Sequence, residues 1–260
     1  MQRLILLFVT ILSLPVPAIH GSQASNTAAT QFADGAIIQR RRIVLIRNPG
    51  LVRRFPHKKR AVVTYPVVSG LSSEVLRRVR AILDFKNIFD YSLKEYREDT
   101  WLDEFDYVVN HNGNSLLDIT FSQSGSAAYP DDQSKHFLID LRNGKVIKAA
   151  DVFLTERLAP LATSVNQKLQ AELKTILQEL SESKSDAEDI RIAREAQEPL
   201  RFTLEDLDNF SVGRKGITFL YDAGYPHVIQ AFEPVGRYFF SYSELKPYIK
   251  PDGPLGQFLH

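Results

Sequence analysis

Six histidines are the side chains of this sequence best suited to acid–base or metal chemistry, and their spacing favours neither. His20 lies in an apolar N-terminal segment and His260 is the last residue, which leaves His57, His111, His136 and His227. No two stand four apart, as they must to share a helix face in a zinc-protease motif, and the chain has no cysteine to supply a thiolate ligand. No metal and no cofactor are expected. Ser181-Glu-Ser-Lys184 has the Ser-x-x-Lys spacing of an acyl-transfer nucleophile, but it sits at the polar end of a helical stretch without partner motifs, and no Gly-x-Ser-x-Gly occurs. Acid pairs such as Asp131-Asp132 invite a glycosidase reading, in which the separation of two carboxyls in space decides the chemistry. No catalytic residue is assigned.

Recognition is a better match, because loops on a rigid sheet carry it. Two stretches qualify. Gly125 to Lys135 offers Ser126, Tyr129, Asp131 and Asp132, and Gly224-Tyr-Pro-His227 offers Tyr225 and His227. A third feature is the run from Arg40 to Arg60, with Arg40, Arg41, Arg42, Arg47, Arg53, Arg54, Lys58, Lys59 and Arg60 and no acid. It reads either as a docking patch for an anionic partner or as a solvated face opposed by Asp99, Asp103, Glu104 and Asp106.

The elements that must position these residues are legible from periodicity. Ile43 to Ile46 reads as a short strand, and Arg60 to Gly70 as a β-branched strand with Pro66 at an edge or bulge. Val75, Leu76, Val79, Ile82 and Leu83 form a helical stripe behind Ser72 or Ser73. Phe105, Tyr107 and Val109 alternate, as do Leu117, Ile119 and Phe121, around Asn112-Gly113; Phe137, Ile139 and Leu141 alternate before Asn143-Gly144 and Val146. Asn-Gly between alternating runs signals a hairpin, so these four strands make an antiparallel meander. Leu161, Val165, Leu169, Leu173, Ile176 and Leu180 lie on one face of a long helix. Phe210–Val212, Ile217–Tyr221, Val228–Phe232 and Tyr238–Ser241 read as further strands, with a helical turn over Glu244–Ile249. Strands and helices are segregated, so the fold class is α+β, with antiparallel sheets packed on one long and one or two shorter helices.

With 44% hydrophobic and 24% charged residues among 260, the chain has a globular composition, and a net charge of +1 excludes a generally basic nucleic-acid binder. Leu4 to Leu14 is apolar after a single cation, Arg3, and too short for a stable membrane span, so 1–24 reads as a signal peptide cleaved after Ala24. Residues 25–59 read as a flexible leader and basic segment, 60–250 as the domain with subdomains near 60–150 and 151–250, and 251–260 as a tail. An exported chain without cysteine carries neither a lipid-bearing thiol nor a disulfide.

The order of these motifs resembles a known family. Tyr65-Pro-Val-Val-Ser-Gly-Leu71 ahead of a helix, Phe137-Leu-Ile-Asp-Leu-Arg-Asn-Gly-Lys145, Asp151-Val-Phe153 before a long helix, Gly216-Ile-Thr-Phe-Leu-Tyr221 and Ser241-Tyr-Ser-Glu-Leu245 are similar to the extracytoplasmic domain of the lysozyme-sensing anti-sigma factor RsiV, also an accessory of the peptidoglycan deacetylase PdaC. The resemblance implies an α+β recognition module of the bacterial envelope, periplasmic or secreted, whose partner is a lysozyme-like protein or a cell-wall glycan. Where that family carries a Gly-Gly-Ala-His loop this chain has Gly125-Ser-Ala-Ala-Tyr-Pro130, without the histidine. Two other readings stand beside it: a wall-polymer hydrolase using Asp131 and Asp132, and a structural factor holding anionic polymer through the basic segment.

Overall fold

The first antiparallel pairing takes in the start of the basic run. The computed structural model describes residues 34–126, 129–183 and 186–259; the expected signal segment, Ala127, Ala128, Lys184 and His260 lie outside them. Strand β1 (Ile37–Ile46) pairs along its whole length with β2 (Arg60–Ser69), with a short helix α1 (Pro49–Arg54) between them. The segment expected as a flexible leader and basic segment therefore supplies the first strand of the sheet, which begins six residues earlier than the strand expected at Ile43.

Helices α2 (Ser73–Ile82), α3 (Phe85–Phe89) and α4 (Leu93–Glu98) then cross to β3 (Leu102–Gly113), which runs parallel to β2 at Val62 and Val63 only. Pro66 lies beyond that short pairing, where its missing N–H costs no ladder bond to β3. Strands β4 (Leu116–Ser126), β5 (Pro130–Asp140) and β6 (Lys145–Val146) complete the expected meander, giving a six-stranded sheet in sequential order.

The turns differ from expectation in an instructive way. Asn112 and Gly113 are inside β3, opposite Leu117 and Leu116, and the turn falls on Asn114-Ser115 with φ of 53° and 57°. Asn112 is occupied elsewhere: its buried side chain accepts from Ala36 N at 2.9 Å and donates to Ala36 O at 2.7 Å. Ser115 N–H donates to Asp34 O and its carbonyl accepts from Leu141 N, so the turn is held from both sides. Asn143-Gly144 behaves as expected, with Gly144 at φ 69° and its N–H 2.7 Å from Asp140 O.

The second half contains α5 (Ala149–Val152), the long helix α6 (Leu158–Glu182), α7 (Ala187–Gln197), a three-stranded antiparallel sheet β7 (Phe210–Val212), β8 (Gly216–Leu220) and β9 (Arg237–Ser241), and α8 (Tyr242–Leu245). His227–Phe232 is a 3-10 turn, not a strand. Its apolar residues are consecutive rather than alternating, and Val228 is almost fully exposed. Residues 251–259 are no loose tail: Leu255 is buried, and the Phe258 ring stacks on Tyr242 at 5.0 Å and 3°.

Two cores result. Phe105, Tyr107, Ile119 and Phe121 point to the sheet face covered by α2, α3 and α4, with Val79, Ile88 and Tyr96. Leu161, Val165, Leu169 and Leu173 of α6 cover Phe210, Ile217 and Phe219 of the small sheet, and Leu116 and Leu138 of the large sheet join them. Each such side chain contributes about 1.5–3 kcal/mol by leaving water. Successive residues alternate faces, so the other face of β3, β4 and β5 stays open beside the second half.

Candidate functional site

That open face forms the floor of a trough. Thr120, Asp132, Ser134 and His136 face Asn209, Tyr221, Asp222, Gln230, Glu233 and Arg237 across a cleft of about 450 Å³. Glu104, Asp106, Ser122 and Ser124 continue it over β3 and β4, sharing Asp132 and Ser134, as a second concavity of about 440 Å³. The carboxylates of Glu104, Asp132 and Glu233 make no ion pair or hydrogen bond among the described residues, and that of Asp222 accepts only from Gly224 N at 2.8 Å. Asp106 is paired with Arg40. Arg237 is the cation of the lining, so the trough is acidic.

The hinge of the trough is a carboxylate. Asp118 is 0% and His136 is 5% exposed at the side chain, and His136 Nε2 lies 2.7 Å from Asp118 Oδ1. The same oxygen accepts from Asn110 Nδ2 at 2.7 Å, and Oδ2 accepts from Val212 N at 2.6 Å. Asp118 thus ties the large sheet to the small one at the root of the cleft, and orients the imidazole that lines it. On the far wall, Glu172 of α6 accepts from Val235 N at 2.7 Å and from the Tyr238 hydroxyl at 2.8 Å. Burial, and then Glu172, push the Tyr238 phenol well above its ordinary pKa, so it remains a donor. Gly236, at φ 66°, makes that wall possible: a Cβ there would lie 2.0 Å from Tyr221 O.

The expected contact residues separate into three groups. Tyr129 and His227 come together, with ring centroids 5.5 Å apart and 26° between planes, so the two stretches meet. Asp132 and Gln230, each three residues further on, face the cleft, so the stack bridges its end. Asp132 alone of the Gly125–Lys135 acids lines the trough. The stretch itself is a correction: it is not a loop, since Gly125 pairs with Asp131 and Ser124 with Asp132 in the β4–β5 ladder. Asp131 and Asp132 therefore project from opposite faces and form no carboxyl pair. Asp131 ends a chain in which the Tyr96 hydroxyl donates to Gln123, Gln123 to Gln133, and Gln133 to Asp131 at 3.4 Å. Ser126 and Tyr225 are structural: Ser126 accepts from Lys58 Nζ at 2.7 Å, and Tyr225 packs on the second core with its hydroxyl buried.

The basic run is also divided. Lys58 is buried and paired with Asp103 at 2.5 Å. Arg47, 2% exposed, donates to the carbonyls of Asp99, Lys58 and Leu102. Arg40 pairs with Asp106 and lies 5.1 Å from the Tyr107 ring centroid. Arg41 lies over Tyr65, and Arg54 over Phe55. Arg42, Arg53 and Lys59 are exposed and unpaired among the described residues. The sequence signals that missed Asp118 and His136 were there in outline: Asp118 stands in the alternation between Leu117 and Ile119, on the face that should be polar, but nothing in the pattern says that face is covered.

Among the described residues no helix is long and apolar enough to cross a membrane. No protein-family model matches the chain, and no curated protein matches it. Solved structures do. The chain is similar to a DUF3298 family protein from Pseudomonas aeruginosa (TM-score 0.51, 13% identity, covering 83% of this chain and 94% of that one). It is also similar to a DUF3298 family member from Bacteroides fragilis (TM-score 0.52, 15% identity, 87% and 99%). At these identities the likeness is one of fold, and it extends over nearly the whole length of both of those chains.

Proposed function

We propose that the protein is an exported, non-catalytic binding module of the bacterial envelope whose acidic trough receives a cationic protein partner. The observation that carries this is the unbalanced lining: Glu104, Asp132, Asp222 and Glu233 against Arg237. Carboxylates left unpaired along a concave surface attract a complementary positive surface and repel anionic polymers. The resemblance of the motifs to the lysozyme-sensing domain points to a lysozyme-like partner, and the apolar N-terminal segment supports export. The division of the basic run weighs against a structural factor held to anionic polymer, because Arg40 and Lys58 are already paired and Arg47 is buried.

The test is retention of immobilised protein's partners: egg-white lysozyme against insoluble peptidoglycan, at low ionic strength. Lysozyme is retained and released by salt. Retention of peptidoglycan alone transfers the site to a glycan, and retention of neither removes the reading.

A further inference from the structure

The edge strand of the large sheet is β1, whose Arg40 reaches to Asp106 and the Tyr107 carbonyl of β3. β1 pairs only with β2 among the described residues, over ten residues in unbroken register and without a proline. Val44 and Ile46, 49% and 54% exposed, stand on the same strand face as Arg42, with Arg60 opposite Ile46. A long edge with exposed apolar side chains is a template for another strand, and proteins normally cover or charge it. Here the charge is of one sign only.

Two occupants fit poorly. A second copy pairing antiparallel about the strand centre would set Arg41 of one copy against Arg42 of the other, and like charges directly opposite are unfavourable. The chain's own N-terminal residues enter β1 from the wrong side: Asp34 O accepts from Ser115 N and Ala36 is held by Asn112, both at the β3–β4 turn. The stretch Ser22–Phe32 also lacks any acid.

We propose that β1 is a strand-addition site for an extended segment of another protein in which acidic and apolar residues alternate. Its backbone completes the ladder of β1, its apolar side chains cover Val44 and Ile46 on one face, and its acids meet Arg41 on the other. The proposal uses Arg41, Val44 and Ile46, none of which lines the trough, whereas Arg40 of the same strand pairs with Asp106 at its margin.

A fluorescent peptide of alternating Glu and Val, eight residues long, is the probe. It binds the full protein, and N-methylation of alternate residues in one of the two possible phases weakens binding at least about tenfold while the other phase does not, because only one edge of a strand faces β1. Arg41→Glu weakens the Glu-Val peptide about tenfold and favours a Lys-Val peptide instead. Val44→Lys is a second variant on the exposed face. No binding by the wild-type protein overturns the proposal, as does binding that both methylation phases leave unchanged, which would be charge attraction without strand addition.

Discussion

Asp118 is the residue on which the site depends. It is buried, and three donors from three separate segments converge on it: Asn110, His136 and Val212 N–H. Asp118→Ala leaves the buried Val212 N–H and the His136 ring without their acceptor, at about 1–3 kcal/mol each, while the exposed Asn110 amide keeps Thr120, so a loss of about 2 kcal/mol or more is expected in denaturant unfolding. A loss below about 1 kcal/mol would mean water replaces the carboxylate. Asp140 gives a pH-dependent counterpart. Burial would raise its pKa, but the hydrogen bonds from Arg142 and Asn143 outweigh that and hold it below the ordinary 3.8. A folded-state value below the unfolded one stabilises above that pH and the contribution disappears as pH falls through the lowered value. The difference in unfolding midpoint between wild type and Asp140→Asn is therefore present at neutral pH and closes below about pH 4. A constant gap would show that the carboxylate's charge is not what matters.

At the scale of elements, the basic run changes meaning. Arg47 is a buried fork that joins the end of β1 to the start of β3 through the carbonyls of Asp99, Lys58 and Leu102. A lysine has one ammonium where the guanidinium presents several fixed donors. Arg47→Lys is expected to cost about 2 kcal/mol in thermal or denaturant unfolding, whereas Arg53→Lys, on an exposed helix with no buried residue, is neutral. Equal effects would refute the fork. This is where sequence reading stopped: the helical stripes of α2 and α6 and the alternation of β3 and β4 announce themselves because one face is buried. Pro130 to Lys135 is exposed on both faces, so its strand leaves no hydrophobic pattern, and a ladder partner rather than burial makes it a strand. Arg47 and Lys58 likewise look like their exposed neighbours until their partners are in place.

For the whole molecule, the α+β class, the meander and the covering helix follow from patterns local to one segment. The trough does not, because it arises where two halves meet. Tyr129 and His227, nearly a hundred residues apart, were each singled out, but their stack across the cleft end depends on the Asp118 anchor between the sheets. Charge shows the same limit: a chain with a net charge of +1 carries an acidic trough and, joined to its margin by the Arg40–Asp106 pair, a cationic edge strand. The most direct measurement is calorimetric titration of egg-white lysozyme into wild type and into the combined Asp132→Asn, Asp222→Asn and Glu233→Gln variant, at low and moderate salt. The account predicts binding by wild type that weakens with salt, and at least about tenfold weaker, less salt-dependent binding by the variant. Equal affinity of the two proteins for lysozyme would contradict it.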